Sequence, residues 1–270
     1  MNKQSSLAEV IADNAASVFL EENIGSNIFI GSDIENLISK NAQVIYQDIN
    51  DTKFFGALID YKDKRFVVLN THQDLRARYY SAAHEMWHLA LASSMFGRQS
   101  EVIKNTADRE DFNNERAADR FAAALMLPET IVINTWNKYV QQPGFPNPEL
   151  AKEAVIRIAN VSSMPYEAVC RRLDELNLLM SRELLRWHRD QWVVYLNQVG
   201  FPPSPLDKSS NFKQFADLST FIQKQVDKDQ MTLMEAANFL TNSDPDQATN
   251  YLKLRKEKVE KQLFEEENGR

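Results

Sequence analysis

The segment RARYYSAAHEMWHLAL, residues 76–91, decides how this chain is read. Ala82, Ala83, Met86, Trp87, Leu89, Ala90 and Leu91 recur at helical spacing and predict a largely buried helix. Three polar side chains, His84, Glu85 and His88, stand inside that apolar run. Residues four apart share one helix face, so His84 and His88 project toward a common point. The pattern is HExxH, in which two imidazoles clamp one ion and the intervening glutamate acts as base. Histidines that donate to backbone carbonyls are the ordinary alternative, and they suit a lone histidine better than this pair. Burying two imidazoles and a carboxylate without partners is costly, and one zinc ion gives all three a role.

A catalytic zinc takes three protein ligands and keeps a fourth position for water, so a third donor is needed. The segment NERAADRFAAALMLP, residues 114–128, offers Glu115 and, four residues on, Asp119 on the same helical stripe. Glu115 is the best candidate for the third ligand, with Asp119 placed to accept the outer ring N–H of one histidine. The competing reading is a solvated acidic face paired with Arg116 or Arg120. His72 and His188 are rival donors, but one lies in a loop and the other beside Arg186 and Arg189, as surface histidines do. Zinc lowers the pKa of water to about 7, and Glu85, off the ligand face, is positioned to take the proton. Tyr79, Tyr80, Arg76 and Arg78 are all possible oxyanion partners, and the sequence does not choose among them.

Outward from these helices, residues 7–23 place Leu7, Val10, Ile11, Ala15, Val18 and Phe19 on one face of an amphipathic helix. A short helix is expected from Ser32, whose side chain could cap it. The runs FFGALIDY (54–61) and RFVVLN (65–70) read as a hairpin turning at Lys62, Asp63 and Lys64. The polar stretch from Gly97 to Asp111 reads as a loop, and the next helix spans about Asn113 to Met126 before Pro128. Residues 151–179 suggest short helices, with Ser162 or Ser163 as cap and Pro165 early in a helix. Gly200 to Pro205 is the clearest linker, followed by a helical region with a charged end.

A chain of 270 residues with 43% hydrophobic and 26% charged residues is sized for one or two compact units. The net charge of -7 argues against a protein that grips nucleic acid directly through a basic surface. Cys170 is the single cysteine, which excludes an internal disulfide and fits a cytoplasmic protein with a core thiol. No stretch reads as a secretory leader or a membrane span, so no membrane association is expected.

The segments RARYYSAAHEMWHLAL and NERAADRFAAALMLP together resemble the ImmA/IrrE family of metallopeptidases. The resemblance continues through VSSMPYEAVCRRLDELNLL, residues 161–179, which has helix-turn-helix texture and reads more simply as a small bundle on the peptidase. Departures are Tyr79 for the usual Phe, Ser81 near the usual Thr, and Trp87 for the usual Gly before the second histidine. Trp87 either reshapes the substrate cleft or fills a gap in the core.

The resemblance implies His84, His88 and Glu115 as ligands of one Zn2+ and Glu85 as catalytic base. It also implies an α+β fold, a zincin-like core with a small sheet beside the HExxH helix; the helical C-terminal regions, which make the chain helix-rich, are read from pattern, and residues beyond about 180 lie outside the resemblance. The expected organisation is a metallopeptidase domain over residues 1–135, a helix-turn-helix-like segment over 136–180 and a helical region of unknown role over 181–270. The expected function is zinc-dependent hydrolysis of a peptide bond in a protein substrate. By resemblance that substrate is a helix-turn-helix transcriptional repressor of a mobile element or stress response. Two other classes fit the same residues: a zinc-stabilised, non-catalytic regulator that sequesters a transcription factor, and a toxin-like component of a two-gene module.

Overall fold

The computed structural model describes residues 6–25, 27–51, 53–61, 64–140, 148–179, 181–210, 214–215, 218–241 and 244–268. The chain divides into two compact units, Met1–Phe212 and Lys213–Arg270.

The first unit begins with α1 (Leu7–Asn23), whose start is fixed by a capping box. The Ser6 hydroxyl accepts the Glu9 N–H, and the Glu9 carboxylate accepts the Ser6 N–H. Its buried face is Ala8, Ala12, Ala15, Ala16, Phe19 and Leu20, whereas Leu7 and Val10 are half exposed. The expected face is therefore rotated toward the alanines. Small residues let α1 lie close against α5 (Asn114–Met126), whose own buried side includes Ala117, Ala118 and Ala122. Helix α2 (Asp33–Ser39) starts at Ser32, but the serine side chain makes no cap bond.

Within the first unit three strands run side by side as a mixed sheet in the order β2 (Gly56–Tyr61), β3 (Lys64–Asn70), β1 (Gln43–Gln47). β2 and β3 are the expected antiparallel hairpin, and β1 joins β3 in parallel. Of the expected turn residues, Lys62 and Asp63 lie outside the described residues. β2 is an outer strand of the sheet. The Asn70 N–H donates to the Phe55 carbonyl, so residues 55, 57 and 59 are hydrogen-bonded to β3. Gly56, Leu58 and Asp60 therefore turn their N–H and C=O groups to the free edge.

Helix α3 (Leu75–Ala92) packs on β2 and β3 with one side and on α5 with another. The Asp74 carboxylate caps it by accepting the Ala77 N–H at 2.8 Å. Residues 97–111 are not a loop throughout: a 3-10 turn leads into α4 (Ser100–Ala107). Ile103 and Ala107, four apart, are the buried face of this otherwise polar helix, too few to show a period in the sequence. Trp87, fully buried, stacks its ring against Phe96 and Phe121 at centroid distances of 5.7 and 5.6 Å, and Phe19 joins from α1. Trp87 thus fills the core and takes no part in the cleft.

Helices α6 (Glu129–Val140), α7 (Pro148–Ser162) and α8 (Tyr166–Glu175) follow. Ser162 and Ser163 do not cap α8. The Ser162 hydroxyl donates back to the Ile158 carbonyl, Ser163 adopts a left-handed backbone, and Pro165 occupies the N-cap position. α8 buries Cys170, whose thiol is pushed up to about 12 by that burial, as befits an inert core residue. Helix α9 (Arg189–Val199) ends at Gly200, in the left-handed conformation that favours glycine. The proline-rich stretch after it stays in the first unit, because Asp207 pairs with the buried Arg76 at the start of α3. Arg76 also donates to the carbonyls of Ala159 and Met164, which ties α3 to α7.

The second unit consists of α10 (Leu218–Asp227), α11 (Leu233–Leu240) and α12 (Pro245–Asn268) around Ile222, Ala236, Ala237, Leu240, Ala248 and Tyr251. Among the described residues, no helix is long and apolar enough to cross a membrane.

Candidate metal centre

Helical periodicity puts Tyr80, His84 and His88 in one line along α3, and Glu115 and Asp119 in one line along α5. The packing of the two helices turns these lines toward each other. His84 Nε2 lies 3.2 Å from Glu115 Oε2, and His88 Nε2 lies 3.6 Å from Glu115 Oε1. One ligand atom from each of the three residues falls within 4.8 Å of the others, the metal-ligand cluster found among the described residues. The histidines are mostly buried and the glutamate reaches in from solvent, so the cluster stands at the bottom of an open face.

The polarity of these contacts tests whether a cation belongs there. His84 Nδ1 is 2.9 Å from Asp119 Oδ1, and a carboxylate can only accept, so the ring proton sits on Nδ1. That leaves Nε2 facing the Glu115 carboxylate, a contact satisfied either by a second ring proton or, with His84 neutral, by a cation between the two acceptors. Tetrahedral zinc with bonds of about 2.0–2.1 Å separates its ligand atoms by about 3.3–3.4 Å. The two contacts of 3.2 and 3.6 Å bracket that spacing. Two imidazoles and one carboxylate are also a donor set that zinc accepts in hydrolytic sites. The residues fit the ion.

Electrostatics follow from the same geometry. His84 loses proton affinity by burial but gains more from the Asp119 hydrogen bond and the charges of Asp119, Glu85 and Glu115, so its pKa is raised. Burial lowers that of His88, and the neighbouring His84 adds to the effect. Burial opposes the ionisation of Asp119, yet its hydrogen bond and charge pairing with His84 hold it below the ordinary value.

Glu85 points to the other side of α3, where it is 7% exposed and lies against the edge strand. Burial raises its pKa, the Glu115 charge adds to this, and His84 and the Leu58 N–H partly offset it. The Leu58 N–H that donates to this carboxylate is one of the groups β2 turns to its free edge. Gly56 makes the approach possible. A Cβ at that position would sit 3.2 Å from Glu85 Cγ, 3.3 Å from its Oε1 and 3.0 Å from the Val68 carbonyl oxygen.

Not every candidate residue reaches the centre. His72 pairs with Asp48 at the surface, and His188 stands at the N-cap of α9. Arg76 is taken up by Asp207, and Arg78 by Glu35. Tyr79 is buried beside Arg78. Tyr80 does border the site: its hydroxyl is 3.3 Å from both Oδ1 and the carbonyl of Asp119. Its position four residues before His84 was the available signal. No comparable signal marks Gly56 and Leu58, whose role arises only when β2 meets α3.

A family model described as the IrrE N-terminal-like domain, of the M78 peptidases, matches residues 39–174, half of the chain. The match includes β1, β2, β3, α3, α5 and each residue of the cluster. No curated protein matches the chain.

Proposed function

The chain belongs to the M78, IrrE N-terminal-like family of peptidases, and from that premise we propose that it is a zinc-dependent metalloendopeptidase whose ion is held by His84, His88 and Glu115. The observation that carries the reading is the convergence of these three side chains beside a buried carboxylate on a sheet edge. Bound there, zinc would supply Lewis acidity, making water acidic enough to ionise near neutral pH and polarising a carbonyl. Asp119 fixes the tautomer of His84, which keeps Nε2 unprotonated for the ion. Glu85 accepts the proton of the hydrolytic water on its carboxylate and delivers it to the departing amine. Its burial raises its proton affinity, which suits a group that must hold a proton briefly. The free edge of β2 takes the substrate backbone as an added strand, through the outward groups of Gly56 and Asp60 and the C=O of Leu58, whose N–H is held by Glu85.

For the substrate we propose a helix-turn-helix transcriptional repressor, on the strength of the sequence resemblance. The test uses purified zinc-loaded protein and a candidate repressor encoded by a neighbouring gene, with Glu85→Gln as control. Cleavage by the wild type alone supports the reading. Cleavage that survives in Glu85→Gln removes Glu85 as the base. Repressor binding without cleavage by either protein favours sequestration over hydrolysis.

A further inference from the structure

One helical turn from the ligand cluster along both α3 and α5 lies a cavity of ≈ 340 Å³ that the mechanism above does not use. Tyr80 and Asp119 form the wall it shares with the metal centre, and α8 contributes Arg171 and Glu175. Three guanidinium groups line it. Arg116 pairs with Glu9, and Arg120 pairs with Asp13 and Glu175. Arg171 is exposed and, among the described residues, makes no ion pair or hydrogen bond. The lining carboxylates are all engaged: Glu9 and Glu175 with arginines, Asp119 with His84 and Tyr80. Of the charged groups lining the cavity, Arg171 is the guanidinium without a direct partner among the described residues, and its charge acts across the cavity on Asp119 and Tyr80.

We propose that this cavity is a substrate subsite for an acidic side chain, aspartate or glutamate, with Arg171 as the residue that selects it. The inference rests on the peptidase reading and goes beyond it by naming a substrate feature. A guanidinium meets a carboxylate through two parallel N–H···O bonds, which gives Arg171 the geometry to select an acidic side chain. One helical turn is about 5.4 Å and an extended chain advances about 3.3 Å per residue, so the acidic residue falls within about three positions of the cut bond.

The test is a set of capped, quenched-fluorescent peptides in which each position is in turn Glu, Gln or Lys. Zinc-loaded wild type, Arg171→Gln and Arg171→Glu are compared, cut sites are read by mass spectrometry, and thermal melting checks that each variant is folded. The wild type should favour Glu over Gln by roughly fivefold in kcat/KM at one position within three residues of the cut, the scale of a partly exposed charge pair. Arg171→Gln should bring that ratio close to one, and Arg171→Glu should turn it toward Lys. Cleavage without an acidic preference, or a preference that survives Arg171→Gln in folded protein, overturns the subsite alone. Absence of cleavage by the wild type overturns the peptidase reading, and the subsite falls with it.

Discussion

At the scale of single residues, the division of labour around α3 gives separable outcomes. Glu85→Gln keeps the shape of the side chain and an acceptor for the Leu58 N–H, while removing the proton-accepting carboxylate. The expected result is a fall in kcat of about 10²–10⁴ with zinc content unchanged, measured on the same preparation. Asp119→Asn should act on the metal instead, weakening zinc affinity by about 10–100-fold in a chelator competition.

Acidity should distinguish the two states of the protein. In metal-free protein His84 has a raised pKa, so its contribution to stability is complete below about pH 6.5 and is lost as pH rises through the higher folded value. Zinc binding runs the other way, because the imidazoles must be unprotonated, and should strengthen over the same range. Because the lowered pKa of His88 gives the opposite slope, the His84 contribution is read as the difference in melting temperature between metal-free wild type and His84→Ala across this range; a difference that does not shrink as pH rises contradicts the assignment. These residues were legible in the sequence because spacing by four on a helix is local information. Tyr80 belongs to the same line, but a tyrosine in an apolar helix has too many other uses to single it out.

At the scale of elements, the contact between β2 and α3 sets the position of the base. Gly56→Ala places a methyl group against Glu85 and the Val68 carbonyl, and a backbone oxygen gives way less readily than a side chain. The expected outcome is destabilisation of about 1–3 kcal/mol and reduced kcat/KM, with zinc content intact, read by denaturant melts, kinetics and metal analysis. Trp87→Ala should cost about 3–5 kcal/mol through the cavity left among Phe19, Phe96 and Phe121, without altering which peptides are cut. An altered cleavage pattern at mild loss of stability would place the indole in the cleft after all.

The hairpin and the two helices of the His84, His88 and Glu115 cluster could be read from pattern alone, since alternation and 3.6-residue periods survive without tertiary context. The buried face of α1 could not, because close packing on α5 favours alanines over the larger Leu7 and Val10. Helix α4 escaped for a related reason: with only Ile103 and Ala107 buried, its polar face hides the period. Ser32 and Ser162 show that a serine near a helix start need not cap it, since its hydroxyl can bond elsewhere or face water.

At the scale of the molecule, the first unit carries the entire candidate metal centre, held between α3 and α5 and braced by the Arg76 network to α7 and Asp207. Binding energy at that centre is therefore folding energy for this unit. Zinc at 100 times its Kd should add about 2.7 kcal/mol to its stability and raise its melting temperature, and His88→Ala should abolish the rise. The second unit has a core of its own around Ala236, Leu240 and Tyr251, and its composition carried no motif from which a role could be read. The measurement that tests the central claim most directly is a zinc-edge anomalous map of crystals grown with one equivalent of zinc. The account predicts one peak bonded to His84 Nε2, His88 Nε2 and a Glu115 carboxylate oxygen, with one position left to solvent. A peak elsewhere, or one that leaves Glu115 unbound, would contradict it.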